Sequence, residues 1–363
     1  MMLELQVRRA DLKETRLARR PLPDLSGGEI LLAIDKFAIT ANNIGYALIG
    51  DSFGFWSYYP AEQPWGIIPA WGFAHVVASR HPGIAEGERV YGFLPMASHA
   101  VMRPDAVSAG GFTDAAPHRA GLPEFYNQYQ RTSGEPPALT ALEDERCLLF
   151  PLFGTSFMLS DYLVDNDFFG AEQILIGSAS SKTGLGLAYL LAHHEGKRPR
   201  IVGLTSARNG KFVRGLNTCD DVVAYDGLDS VAADRKTAFM DMAGNGALVE
   251  AVHRRFRENL TLSCAVGGTH WDAPRVRVNV EGAPKHNFLF VPLQIAKRDN
   301  DWGPGEVQRR AQLASMKIAE SVRGSLTIKH PSGAEAVQSA YLQLVSGELP
   351  PDVGLVAALS TPL

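Results

Sequence analysis

The residues best placed to do chemistry are Gly177-Ser178-Ala179-Ser180-Ser181-Lys182-Thr183-Gly184, between the apolar run Ile174-Leu175-Ile176 and a predicted helix, Thr183–His194. Small residues joining a strand to a helix let backbone N–H groups approach an anion, and the helix N-terminus adds partial positive charge. The chemistry is phosphate binding. Ser178, Ser181, Lys182 and Thr183 are candidate contacts to a pyrophosphate, and Gly184 allows close helix–strand packing. The string departs from GxGxxG, so an ordinary strand-to-helix turn is the alternative. A GxxxxGK[ST] loop fits poorly, because no glycine precedes Lys182 and no clear partner Asp ends a later strand beside it.

The next predicted strand, Arg200–Leu204, bears on the cofactor. A unit that binds NAD places an acid at the end of this strand to hold the ribose 2′-hydroxyl. Here the strand runs into Thr205-Ser206-Ala207-Arg208-Asn209-Gly210-Lys211, which contains no acid. Ser206, Arg208 and Lys211 suit a 2′-phosphate, so the expected cofactor is NADP(H). Capping and solvated surface charge are the plainer explanation of the same residues.

These segments need elements to position them. Predicted strands Gln173–Gly177, Arg200–Leu204, Asp221–Tyr225, Ala238–Met242, Thr261–Val266 and Asn287–Val291 alternate with helical stretches, among them Asn209–Leu216 and Ala247–Arg257. That alternation predicts βαβ units and a parallel sheet. Before Arg103 the texture is β: Glu29–Ile34, Ala74–Ala78 and Glu88–Gly92 are short apolar runs between Gly, Pro and Asp. Residues 103–145 are rich in Pro, Gly and Ala and read as an inserted loop, yet hold Phe125, Tyr126 and Tyr129. An apolar helix then starts near Cys147, and a second, amphipathic helix is predicted over Glu306–Val322.

Composition excludes several function classes. The 363 residues are 45% hydrophobic and 20% charged, enough apolar material for a real core. With 35 basic against 39 acidic residues, no broad cationic surface points to nucleic acid or anionic lipid. No uninterrupted apolar run reaches the ~18–20 residues of a membrane span. The first twenty residues carry charge where a signal peptide has its apolar core, and the three cysteines are far apart. A cytoplasmic protein with no disulfide framework is expected.

With these residues in view, the chain resembles a medium-chain dehydrogenase/reductase of the quinone-oxidoreductase type. The resemblance rests on Gly28-Glu29-Ile30-Leu31-Leu32, Gly87–Gly92, Ser98–Met102, Leu152-Phe153-Gly154-Thr155-Ser156 and the ungapped stretch Ile174–Gly184. Thr40–Tyr46, the SASSKT stretch and Gly267-Gly268-Thr269-His270-Trp271 are more narrowly similar to the DUF2855 family. The resemblance implies an α/β fold: a GroES-like β domain (residues 1–145) and a doubly wound Rossmann domain (146–295). Residues 296–363 would return to the first domain. It adds Thr155, Gly267 and Thr269 to the expected cofactor contacts, a small-molecule substrate, and a homodimer. The family's zinc-dependent branch carries GHE and a Cys ligand. Trp71-Gly72-Phe73-Ala74-His75 has neither, so no metal is expected.

Without zinc, reducing an enone needs a proton donor for the resulting enolate. Tyr46 lies near where related 2-enoyl reductases place a catalytic Tyr, and Asn43 and His270 are the other candidates for chemistry. Asn42, Tyr126, Tyr129 and Trp271 are expected to line the substrate site. Each also has a plainer reading, as a packed aromatic or a turn residue. The sequence therefore predicts an NADPH-dependent, zinc-independent reductase of a carbonyl or activated C=C bond. The alternatives are an NADP(H)-binding sensor, or a lyase or isomerase using the cofactor transiently.

Overall fold

A computed structural model describes residues 1–268, 270, 278–289 and 291–359. The chain divides into two compact units, Met1–Leu148 with Thr327–Leu363, and Leu149–Leu326.

In the first unit the strands are β1 Met2–Arg8, β2 Asp11–Arg20, β3 Ile30–Ile39, β4 Trp65–Gly66, β5 Pro69–Ser79, β6 Arg89–Pro95, β7 His99–Met102, β8 Pro104–Asp105, β9 Gly111–Asp114 and β10 Gln128–Arg131. The helices here are α1 Ala41–Leu48 and the one-turn α2 Pro137–Thr140. β3, β5 and β6 form the antiparallel centre, with Ile30, Leu32, Ile34 and Phe37 of β3 buried. The segment expected as a loop over 103–145 extends this sheet instead: β10 pairs with β6 and β9, and β8 pairs with β9. A buried ion pair, Arg119 to Asp114 at 2.8 Å, holds it together. Its Pro and Gly content reflects tight turns between short strands rather than missing structure.

In the second unit α3 Glu143–Asp165 leads in from the first. The strands that follow are β11 Gln173–Gly177, β12 Arg200–Thr205, β13 Asp221–Ala224, β14 Thr237–Asp241, β15 Leu260–Ala265 and β16 Asn287–Phe288. The helices are α4 Lys182–Ala192, α5 Gly210–Gly215, α6 Gly246–Phe256, α7 Val291–Trp302 and α8 Glu306–Val322. Among the described residues, the strands pair in parallel in the order β13-β12-β11-β14-β15-β16. Taken in chain order that is 3-2-1-4-5-6, with the switch point between β11 and β14. Both strands there are wholly buried, which is why their middles, Ile174-Leu175-Ile176 and Ala238-Phe239-Met240, are apolar without a break. Ile174, Ile176 and Met240 join one core, and Leu175 and Phe239 join the core on the other face.

α3 is the one helix, among the described residues, long and apolar enough to cross a membrane. Half of its most apolar stretch is buried in the fold, with Leu149, Phe153, Leu159 and Leu163 in the core. The apolar helix expected from near Cys147 is this one, and it starts one turn earlier, at Glu143, with Pro151 inside it.

The return segment is β17 Thr327–Lys329, α9 Ala334–Val345 and β18 Val353–Ala357, with β18 paired to β3. It begins at Thr327 rather than 296, because α7 and α8 belong to the second unit.

Candidate functional site

In the second unit the candidate site is the C-terminal edge of the parallel sheet. Ser178, just past β11, has φ +54°, left-handed backbone that costs a residue with a Cβ about 1 kcal/mol or more. The turn is tied down on both sides. Ala179 N donates to Leu204 O at 2.9 Å, and the Ser180 hydroxyl accepts from Thr205 Oγ1 and Asn209 Nδ2, both at 3.1 Å. Ser181 is the N-cap of α4, its Oγ accepting from Gly184 N at 3.1 Å. A Cβ on Gly184 would stand 2.7 Å from Ser178 O, so only glycine lets the helix start this close to the turn. Lys182 and Thr183 occupy the first helical turn, half-buried, and Thr183 O accepts from Ser156 Oγ at 2.8 Å. Thr155, next to Ser156 on α3, bonds its own helix at Pro151 O, 3.3 Å away.

β12 ends at Thr205 with no acid after it. Ser206 begins the short 3-10 turn Ala207–Asn209, but its hydroxyl caps nothing. Its Oγ is buried without a hydrogen-bond partner among the described residues. Arg208 and Lys211 are exposed beside it.

The ends of β13, β14 and β15 bring up residues that the sequence reading passed over. Tyr225, just past β13, hydrogen-bonds Ser178, and burial pushes its phenol up to about 12. Its ring meets His270 edge-on at 5.5 Å. His270 Nδ1 lies 3.3 Å from Asn245 Nδ2, while Asn245 Oδ1 caps α6. Buried Asp241 accepts from Ala243 N at 2.9 Å and Gly244 N at 3.2 Å. Gly267 packs on Gly244, where a Cβ would come 2.9 Å from Gly267 O. Ser178, His270 and Gly267 are thus gathered on one edge with Tyr225 and Asn245. Only contacts between strands distant in sequence reveal those last two. Thr269 and Trp271 lie outside the described residues.

In the first unit α1 presents Tyr46. Asn42 Nδ2 and Trp71 Nε1 approach its hydroxyl at 3.5 and 3.4 Å. Burial raises its pKa above that of a free phenol, and hydrogen bonds from Trp71, Asn42 and Tyr126 offset part of the rise. The phenol therefore stays protonated at neutral pH. Phe55, Phe93 and Tyr126 surround the ring, and Phe125, exposed, packs on Trp71.

Two expectations fare differently here. Asn43 is 2% exposed, its Oδ1 accepting from Thr40 N at 2.6 Å and its Nδ2 donating to Pro69 O at 2.9 Å. Its amide secures the start of α1, which leaves it no reach toward a reacting group. Tyr129 is 1% exposed, with its hydroxyl bonded to Phe93 O at 2.6 Å and its ring against Gly92. It belongs to the sheet core, not to a substrate surface. His75, in the stretch matching the zinc branch, pairs with Asp35 at 2.6 Å. Among the described residues no three His, Cys, Asp or Glu side chains converge on a common point.

The sequence profile of a family described as protein of unknown function (DUF2855) matches residues 37–350. The chain belongs to the DUF2855 family. No curated protein matches this DUF2855 chain. Among solved structures it is similar to CurA from Vibrio vulnificus in complex with NADPH, with TM-score 0.63 and 13% identity over 100% of this chain and 99% of that one. It is also similar to S. aureus TarJ in complex with NADPH, at TM-score 0.57 and 10% identity over 99% of each chain. A third is the quinone oxidoreductase from Coxiella burnetii, at TM-score 0.52 and 13% identity over 98% of each chain. At such identity the likeness establishes the fold: the DUF2855 protein has the GroES-like plus Rossmann architecture of the medium-chain dehydrogenase/reductases.

Proposed function

We propose that this protein is an NADPH-dependent, zinc-independent reductase of a carbonyl or an activated C=C bond of the enone or quinone kind. The observation that carries the cofactor choice is Ser206, a buried hydroxyl without a partner at the end of an acid-free second strand. A 2′-phosphate would satisfy it, with Arg208 and Lys211 adding charge-assisted contacts. Ser178, Ser181, Lys182, Thr183 and Gly184 would hold the diphosphate at the start of α4, where free N–H groups and the helix dipole favour an anion. Thr155, Gly267 and Thr269 are proposed as further contacts, with the second unit as the cofactor-binding domain and the first as the catalytic domain. NADPH, when bound, supplies a hydride.

The chain's own part is then to bind, orient and protonate. Tyr46 keeps its proton because burial disfavours the phenolate. Two of its neighbours, Asn42 and Trp71, only donate through the atoms that face it. Tyr126, the third hydrogen-bonding neighbour, has an O–H of its own to donate, which leaves the Tyr46 O–H for a substrate oxygen or carbanion, as a general acid requires. Asn42, Tyr126 and Trp271 are proposed to contact substrate, and His270 is the alternative proton donor. We further propose a cytoplasmic homodimer.

A second reading, a protein that binds the dinucleotide without turnover, draws support from Ser178, Ser181 and Lys182 at positions where the resembled reductases carry glycine. The test is NADPH consumption with a panel of enones, quinones and aldehydes, before and after dialysis against a strong chelator. Turnover that survives the chelator supports the reductase. Tight NADPH binding without turnover supports the second reading, and no NADPH binding refutes both.

A further inference from the structure

On the α6 face of the parallel sheet four polar side chains form a line, with Asp241, Ser263 and His253 buried and His286 half-buried. Asp241 ends β14, and its Oδ1 lies against the Gly177 backbone, where a Cβ would come within 3.0 Å. Its Oδ2 is 3.5 Å from His286 Nε2. His286 precedes β16, and its Nδ1 is 2.8 Å from Ser263 Oγ on β15. Ser263 Oγ is in turn 2.7 Å from Nε2 of His253 on α6. Carboxylate, imidazole and hydroxyl in this order resemble a hydrolytic triad. Ser263, however, is 2% exposed and a second imidazole already occupies its hydroxyl, so no acyl group reaches it.

The protons in this line can be counted. Ser263 has one hydrogen to donate, and His253 Nδ1 is buried with no partner among the described residues. If His253 carries its proton on Nε2, it donates to Ser263, and Ser263 donates to His286 Nδ1. His286 then points Nε2–H at Asp241, and the only group left over is the His253 Nδ1 lone pair. If Ser263 donates to His253 instead, a buried Nδ1–H is stranded on His253, the rarer kind of orphan in folded proteins. His286 must in that case be charged, or else turn a bare lone pair toward the Asp241 carboxylate. Charging His286 in any arrangement leaves one hydrogen without an acceptor.

We infer that Asp241 is a positioning residue, faced by a one-directional chain, His253 Nε2–H to Ser263 and Ser263 O–H to His286 Nδ1, which turns the His286 Nε2–H toward the Asp241 carboxylate 3.5 Å away. The unpartnered His253 Nδ1 sets the direction. Faced this way, the Asp241 carboxylate keeps its oxygens on the amides of Ala243 and Gly244, which shape the loop beside the Gly177 turn. Burial, with His286 adjacent, lowers the His253 imidazole to about 4, in keeping with a neutral ring. Among the described residues, the titratable groups in contact with His286 are Asp241 from β14 and His253 from α6. Phe239 stacks on its ring at 6.2 Å, and Lys285, next in the chain, is exposed.

Long-range proton–nitrogen NMR of the histidine-labelled full chain tests this without any cofactor, so its outcome is separate from that of the proposed function. Both His253 and His286 should be neutral Nε2–H tautomers at pH 7. Ser263→Ala removes the hydrogen bonds at His253 Nε2 and His286 Nδ1, so the nitrogen chemical shifts of those two atoms should change. Ser263→Thr, which keeps the hydroxyl, should leave them where they were. A wild-type His286 that is charged or Nδ1-protonated at pH 7 overturns the inference. So do nitrogen shifts unchanged by Ser263→Ala. If that variant does not fold, the wild-type tautomers alone decide.

Discussion

Ser206→Ala should change cofactor binding and apo stability in different directions. The Ser206 Oγ is buried and unpaired, and it contributes no cap to the turn it begins. Removing it therefore costs the apo protein nothing and relieves an unsatisfied oxygen, so stability should hold or rise by up to about 1 kcal/mol. A hydroxyl bonded to a phosphate contributes about 1.5–3 kcal/mol, and at 1.4 kcal/mol per decade its loss weakens NADPH by about 10- to 150-fold. NADH has no phosphate there and should keep its affinity. The assays are calorimetric titration of both dinucleotides at one ionic strength and a thermal scan of the apo protein. An NADPH dissociation constant within about twofold of the parent, well inside that tenfold lower bound, would refute the reasoning. Equal weakening of NADH would refute it too.

Tyr46→Phe should lower kcat by ~10²–10⁴ and leave the NADPH dissociation constant unchanged, read by steady-state kinetics beside calorimetry. A fall in Tm with kcat intact would make Tyr46 a packing residue. Gly184→Ala forces a Cβ to within 2.7 Å of Ser178 O, a backbone atom that cannot swing away. Urea unfolding should show a loss of about 1–3 kcal/mol, and no loss would mean the turn is laxer than described. His253 titrates near 4 when folded and near ~6.5 when unfolded, so between those values the unfolded chain binds more protons. Stability should then rise with pH from about 4 to about 6.5, by on the order of 3 kcal/mol. His253→Gln should flatten that part of the profile, and an unchanged profile would assign the pH dependence to the carboxylates.

Much of the second unit was legible because parallel strands buried on both faces must be apolar throughout. Gln173–Gly177 agrees with expectation at both ends, and the neighbouring strands differ by a residue or so. The Ser206 position was legible too, since an absent acid at a strand end is a purely local fact. The 103–145 segment was not. Its strands are two to four residues long and stand only because β6 offers a partner edge, which no periodicity records. Asn43 and Tyr129 looked available by residue type, yet their polar atoms are taken by backbone groups 26 and 36 residues away.

Local chemistry was therefore settled in the sequence itself. The small-residue turn at Ser178–Gly184, the capping Ser181 and the acid-free strand end depend on neighbours a few residues apart, and a chain carries that information along its length. The tertiary structure alone decided which distant side chains share an environment. Tyr225 reaches Ser178 because β13 and β11 lie in one sheet with β12 between them. Asp241, His286, Ser263 and His253 line up because β14, β15, β16 and α6 meet on one face. Hydrogen bonds act over about 3 Å in space, whatever the separation in sequence. Contacts of that kind come into being only when the sheet closes.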